Sequence, residues 1–414
     1  MDISARGISM NESGNIEMRV ARRSEEIDWS CWESIRDKKN LLTDPSYLKA
    51  VEESGVIECE YKYFEFYERG QLICSMFGYV IINDAALFYG ETFKKIISAV
   101  RRIIPGFLTA KTLEIGTPVS VGITVSISPQ VNREQIFSII ELLKRYSRQN
   151  QIKAILIRDF REGKTSLESV LSKSGFKCIP NLADSLLKIE WGSFEEYLAS
   201  LKSRYRQHAR MRMRKKETAG IRTALLNSRD GLINAEDYAR LFRNVADRSE
   251  EYEREFIGEQ YHTAMFDNLK DHNYWLQYFK DDELAAFAHF IVYKENMIIQ
   301  YVGMDYEISR EALLYFNSFY DQIKFAIDNG IKSIEAGITT YRTKSELGFS
   351  IYPQRMYVWY NNPLLRPFIG LVFKATEHRL DDCHYAFKDN RHQYLWDGRD
   401  MYACCDEKTP DQKE

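Results

Sequence analysis

Residues 301–349 read YVGMDYEISREALLYFNSFYDQIKFAIDNGIKSIEAGITTYRTKSELGF, and this stretch decides the fold of the 414-residue chain. Its apolar spacing predicts the end of a strand at Ile298 to Gly303 and a long helix from about Ser309 to Asn329. A short strand, Ile331 to Gly337, follows, then a polar turn from Thr339 to Lys344 and the pair Gly348-Phe349. Two strands joined through a helix, with charged and hydroxyl side chains after the second, gather those side chains at one end of a sheet.

Working outward, alternating apolar residues at Tyr274 to Phe279, Leu284 to Tyr293 and Met297 to Tyr301 predict a three-stranded antiparallel meander. The pattern occurs earlier at Tyr61 to Tyr67, Leu72 to Ile82 and Ala85 to Tyr89. The two superpose without a gap at an offset of 212, Leu72 on Leu284, Val80 on Val292 and Tyr89 on Tyr301. A second match, at an offset of 173, sets Gly175-Phe176 and Pro180 on Gly348-Phe349 and Pro353. Together they predict a duplicated domain whose first copy holds about 39 extra residues.

The remaining elements fit that plan. Strands are predicted at Ile16 to Val20, near Leu113 and Thr124, and at Ile152 to Ile157, Ser185 to Trp191 and Arg222 to Leu226. Helices are predicted from Ser24, then over Asp44 to Ser54, Thr92 to Ile104, Arg133 to Asn150, Lys164 to Ser174 and Ser193 to Ala219. Three more are predicted at Ala235 to Ser249, Gly258 to Leu269 and Leu364 to His378, before a charged tail from Asp406.

Composition narrows the function classes. The length suits two domains of about 200 residues each. An apolar share of 44% and an aromatic share of 13% exclude a disordered or fibrous chain. A net charge of -3 gives no general drive toward nucleic acid or an anionic membrane, so any basic surface is local. Seven cysteines without a CxxC spacing point to buried reduced thiols. No His, Cys and acid cluster has ligand spacing, so no metal is expected. The polar N-terminus and the lack of a long apolar run lead to the expectation of a cytoplasmic protein without a membrane span.

Three segments carry a resemblance. LTDPSYLKAVEESG (Leu42 to Gly55), SLKSRYRQHARMR (Ser200 to Arg212), and FNSFYDQIKFAIDNGIKSIEAG followed by Lys344, Gly348-Phe349 and Pro353 resemble the FemAB-like group of the GNAT acyltransferase superfamily. The resemblance implies a mixed α/β (α+β) fold of tandem GNAT-like domains, each a mostly antiparallel sheet flanked by helices. The domains would be 1–183 and 184–414, the second with the C-terminal helix and tail. It also implies N-acyl transfer from acyl-CoA or aminoacyl-tRNA to an amine of a small-molecule, cell-wall or natural-product precursor, with no tightly bound cofactor. One departure stands out. Where CoA-dependent GNAT enzymes place a glycine-rich pyrophosphate loop, this chain reads Gly303 to Arg310, with one glycine and two carboxylates. Fem-type enzymes also lack that loop.

Acyl transfer to an amine needs a base and donors aimed at the oxyanion. Glu335, near the end of an apolar strand, is a candidate general base or amine anchor, or the partner of a nearby Lys or Arg. Lys344 is a candidate electrostatic stabiliser or a solvated lysine, and Tyr341 and Arg342 share its turn as substrate-binding candidates. His289, on the central meander strand, is either catalytic or a satisfied core histidine; Gln300 and Tyr301 either line the pocket or pack the strand. Arg204, Arg206 and Arg210 belong to a basic helix on which Arg206, Arg210 and Arg214 share a face. That row suits phosphates of a donor, a tRNA contact included, or is a solvated face paired with Glu195, Glu196 and Glu217. The rival classes are an inactive GNAT-fold binding or scaffold protein and a nucleic-acid binder.

Overall fold

The computed structural model describes residues 10–11, 16–84, 101–102, 109–161, 165–229, 234–248, 255–364, 366 and 383–396. Its first half contributes β1 (Met10–Asn11), β2 (Ile16–Ala21), β3 (Glu60–Glu68), β4 (Gln71–Asp84), β5 (Thr109–Ile115), β6 (Val125–Ile127) and β7 (Ala154–Phe160). Then follow β8 (Lys177–Lys188), β9 (Arg222–Leu226), β10 (Asn273–Lys280), β11 (Glu283–Tyr293), β12 (Asn296–Met304), β13 (Ser333–Gly337) and β14 (Ser350–Tyr360). All fourteen join one sheet, ordered β1-β2-β3-β4-β5-β7-β14-β8-β13-β12-β11-β10-β9, with β6 beside β4. Pairing is antiparallel except at β5 with β7 and β12 with β13.

The closing strands are exchanged. β8 follows the first half in sequence but pairs with β13, whereas β14, from the end of the second half, pairs with β7. They also pair with each other, Pro180 opposite Arg355 and Asn181 opposite Gln354. Asn181 and Gln354 lie 173 residues apart, so the pairing register agrees with the sequence repeat. The division expected at 183/184 cuts β8 in its middle. Pro180, read as a break before a new strand, is instead inside β8. Its missing N–H is tolerated because β13 pairs only with Ser185 to Lys188 of that strand.

The meanders differ in their third member. Ala85 to Tyr89 and most of Thr92 to Ile104 lie outside the described residues, as does most of Leu364 to His378. Beside β4 the ladder is completed by β5 and β6 together: Gly78 pairs with Ile115 and Met76 with Val125. In the second half β12 does both, Phe290 pairing with Ile299 and Ala288 with Val302. Nine residues, 116–124, therefore intervene where the second half has Gln300 and Tyr301 as a bulge opposite His289.

Three predicted helices are divided. Leu313, in the left-handed region (φ 50), separates Tyr306–Ala312 from Leu314–Asp328. The basic stretch forms Phe194–Ser200 and Ser203–Thr218, because Leu201 leaves the helix to bridge Phe387. Ser24 opens a single turn, Ser24–Glu26, before a separate helix, Trp29–Ile35, capped by Asp28. The expected polar turn is the helix Tyr341–Glu346. Of the five cysteines among the described residues, Cys74 alone is buried; Cys31, Cys59, Cys178 and Cys383 are partly exposed, so the expected burial holds for one thiol.

Side-chain alternation divides the core between the sheet faces. On one face Tyr61, Tyr63, Phe77 and Tyr79 join Trp275, Phe287 and Ile291 under helices Pro45–Glu53 and Glu259–Leu269, so this core is common to both halves. On the other face each half keeps its own core, Phe64 and Val80 under Arg133–Gln149 and Phe290 and Met297 under Leu314–Asp328. Among the described residues no helix is long and apolar enough to cross a membrane.

Candidate functional site

β12 and β13 pair for three residues, ending at Ile298 opposite Glu335, and then part. Beyond that point β12 bulges at Gln300-Tyr301, while β13 turns through Gly337 (φ 63) toward β8. Ile334 points into the second half's core, so alternation sends Glu335 to the face common to both halves. Its side chain keeps 22% of its exposure.

Glu335 meets a guanidinium from the other half. Arg161, just after β7, donates from Nη2 to Glu335 Oε2 at 2.9 Å and from Nη1 to Oε1 at 3.3 Å. The same Nη2 donates to Asp184 Oδ2 at 2.6 Å, and Asp184 Oδ1 accepts from the Ser185 N–H at 2.9 Å. Asp184 lies on β8 and its side chain is 2% exposed. Burial pushes its carboxyl up to about 6, with Arg161 pulling it down and the Glu335 charge pushing it up.

A cavity of about 310 Å³ opens beside Glu335, lined by Asn40, Leu42, Ile123, Arg161 and Ile298 among others. Its outer wall is tied down from both halves. Arg36 pairs with Asp44 at 3.0 Å, and Tyr293 on β11 donates to the same carboxylate at 2.9 Å. Asn40 donates to the Ile123 carbonyl at 2.9 Å, and buried Asp159 accepts from the Gly122 N–H at 3.1 Å. A Cβ on Gly122 (φ 143) would lie 2.4 Å from a Leu42 methyl, so the two wall segments close up only around glycine.

The remaining candidates fall in different places. Lys344 is not a solvated lysine: it is buried and its ammonium donates to the carbonyls of Ala336 (2.7 Å), Gly337 (3.2 Å) and Ile338 (2.7 Å). Those three bonds match its three N–H donors. The lysine thus holds the turn immediately after Glu335. Tyr341 donates to the Ala183 carbonyl at 2.9 Å, and Arg342 is exposed. Gln300 bonds Ser120 of the first half at 3.0 Å, and Tyr301 packs edge-on against Phe242 and Tyr261.

His289 is fully buried and stacks on Trp275 at 4.0 Å. Its nitrogens meet Tyr261 at 2.9 Å and Asn273 at 2.6 Å, away from the Glu335 cavity. Burial holds the imidazole far below its ordinary value.

On the basic helix, Arg212 and Lys216 turn inward to Glu346 and Asp321. Arg204 and Arg210 stay exposed, Arg210 reaching Glu195 at 3.5 Å, and half-buried Arg206 donates to the Leu201 carbonyl at 3.0 Å. At the position of the pyrophosphate loop, the Asp305 carboxylate caps the helix by accepting from the N–H groups of Glu307 and Ile308.

Sequence reasoning missed Arg161 and Asp184. The signal for Asp184 was the one applied to Glu335, an acid inside an apolar strand, but the strand was started at Ser185, one residue past Asp184 and eight past its true start at Lys177. Arg161 follows an apolar strand unremarkably, and only the exchange of closing strands brings it to Glu335.

The FemAB-like family model, described for peptidoglycan biosynthesis/recognition, matches residues 23–391. The putative 8-amino-7-oxononanoate synthase 2 of Mycobacterium tuberculosis (strain CDC 1551 / Oshkosh) is 25% identical over 304 residues, 72% of this chain and 39% of that protein. The chain thus matches well under half the length of that relative. Among solved structures, FemX aligns with a TM-score of 0.53 at 13% identity, over 87% of this chain and 99% of that one. The tandem GNAT protein from the clavulanic acid biosynthesis pathway aligns with a TM-score of 0.50 at 9% identity, over 84% and 99%. At such identities these two likenesses show the tandem GNAT fold alone.

Proposed function

The chain belongs to the FemAB-like family, and on that premise we propose that it transfers an activated acyl or aminoacyl group to an amine. The observation that carries this reading is Glu335, held where β12 and β13 part, at the edge of a cavity of about 310 Å³ between the halves. A carboxylate there accepts the proton that an acceptor ammonium must lose before its nitrogen attacks a carbonyl. The bulge at Gln300-Tyr301 takes that backbone out of the regular ladder and is the proposed source of N–H donors for the oxyanion. Lys344 serves by holding the Ala336 to Ile338 carbonyls, and with them the turn behind Glu335.

The Asp305 cap supports a donor other than CoA bound by its pyrophosphate, since the needed N–H groups are taken. An aminoacyl-tRNA fits the exposed arginines of Ser203–Thr218 through its phosphates. The acceptor we propose is small enough for the cavity and carries a primary amine. The name of the mycobacterial relative, an amino-oxononanoate synthase, supports an amine of that kind.

The test supplies a mixed aminoacyl-tRNA pool and a panel of acyl-CoAs with primary-amine acceptors, and follows product by mass. Glu335→Gln should lower turnover about 100-fold or more with the fold retained. Full turnover in that variant, or no transfer from any donor, overturns the reading. The engagement of all three Lys344 donors favours a second reading, recognition without transfer, in which the same amines bind calorimetrically and no product forms.

A further inference from the structure

Three groups from three elements meet at one nitrogen. Arg161 Nη2 lies 2.6 Å from Asp184 and 2.9 Å from Glu335, so a single cationic edge faces two carboxylates. Asp184 takes the shorter bond, is sealed from solvent and has no place in the cavity lining, whereas Glu335 and Arg161 both line it. A guanidinium divided in this way neutralises neither acid completely. We propose that Asp184 is the positioning residue for the site's base: by claiming Arg161 it leaves Glu335 incompletely neutralised and able to take a proton from an acceptor ammonium. This rests on the transfer reading for its purpose, but not for its test.

The proton balance is simple. An N–H bond of the acceptor ammonium breaks and an O–H bond forms on Glu335; the free amine adds to the donor carbonyl, the C–O or C–S bond to the leaving group breaks as that group takes the proton from Glu335, and the second proton the nitrogen loses on becoming an amide passes to water. Asp184 and Arg161 keep their charges throughout. The other charged and titratable groups around Glu335 are Asp159 at the end of β7, Lys344 after β13, Tyr293 on β11, and Asp37 and Lys39 across the cavity. Lys344 is turned onto carbonyls and Asp159 onto Gly122 and Asn181, which leaves Arg161 as the cation in direct contact with Glu335. Because the Asp184 carboxyl is pushed up to about 6, its charge is present above that pH and fades below it.

The experiment follows carboxyl carbons by NMR in the full-length protein, with the Glu335 signal assigned by its loss in Glu335→Gln. In the wild type the Glu335 signal should show a second inflection as Asp184 gains its proton. In Asp184→Asn the Glu335 step should move to lower pH by about one unit or more, because Arg161 then serves it alone. Asp184→Glu, which keeps the charge, should restore the wild-type curve. A Glu335 curve without the second inflection, or one that Asp184→Asn leaves in place or moves upward, overturns the proposal. The wild-type measurement decides even if Asp184→Asn does not fold. Since no transfer is assayed, absence of activity sinks the transfer reading and leaves this one standing.

Discussion

The two halves share a pairing register and differ where the chemistry is. In the first, Leu171 lies in the last turn of the helix Ser166–Lys173, and its carbonyl accepts the Phe176 N–H across Gly175. In the second, Lys344 stands in that place, its carbonyl accepting the Phe349 N–H across Gly348, and its side chain reaches three carbonyls. Glu168 in the first half bonds Arg355 and Tyr357 in a sealed cluster. The positions 173 residues from Glu168 and Tyr357 are Tyr341 and Asp184, so acid and phenol have changed places, and the acid bonds Arg161, which lines the cavity. The bulge too is unequal: two residues in the second half answer to nine in the first, and Ser120 from the nine bonds Gln300 from the two. A duplicated fold thus builds one site by sealing one copy and loosening the other.

The comparison can be broken most forcefully at the sealed end. Arg355→Leu leaves Glu168 buried without its partner and should cost about 3–5 kcal/mol in denaturant unfolding, while Arg355→Leu with Glu168→Leu recovers most of it. A loss below about 1 kcal/mol would mean that the first half is not closed by this pair. At the open end, Lys344→Leu copies the first half. It orphans three carbonyls and should cost about 2–3 kcal/mol. If turnover fell while stability held, Lys344 would act on substrate and not on the turn.

Acid sharpens the contrast further. Phe77 of the first half lies 212 residues before His289. Burial lowers His262 to about 3 and holds His289 well below its ordinary value, so both stay neutral in the fold and their contribution is lost as pH falls below the unfolded value. Each costs about 1.4 kcal/mol per pH unit below about 6.5. Asp184, raised to about 6, works the other way and gains stability as pH falls from about 6 toward 4. Two histidines outweigh one aspartate, so net stability from these groups declines with acid, and His289→Phe should halve the histidine slope. An unchanged slope in His289→Phe would contradict the burial argument. The smallest effect belongs to the exposed arginines. Arg210→Ala should change stability by less than about 0.5 kcal/mol, yet lower the salt slope of binding to a tRNA pool by about 1.

Much of the fold was legible because it is local or repeated. Glu335 within Ser333–Gly337 follows from period, and Gly175 (φ 83) as a helix stop from backbone chemistry. The breaks at Leu313 and Leu201 were not, because each sits among helix-forming residues, and Leu201 is set by its bridge to Phe387, far along the chain. For the site, the acid was visible and its partners were not. Lys344 read as an electrostatic stabiliser or a solvated lysine, because three carbonyl acceptors in a turn leave no mark in composition.

By itself, the sequence determined the strand and helix periods, the duplication, and the residue types gathered after β13, all of which rest on neighbours within a few residues or on a repeat at fixed offset. The tertiary structure decided which strand closes which half. Backbone hydrogen bonding is indifferent to side-chain identity, so nothing local distinguishes β8 beside β13 from β8 beside β7. That choice alone carries Arg161 across to Asp184 and Glu335, and with it the electrostatics of the site.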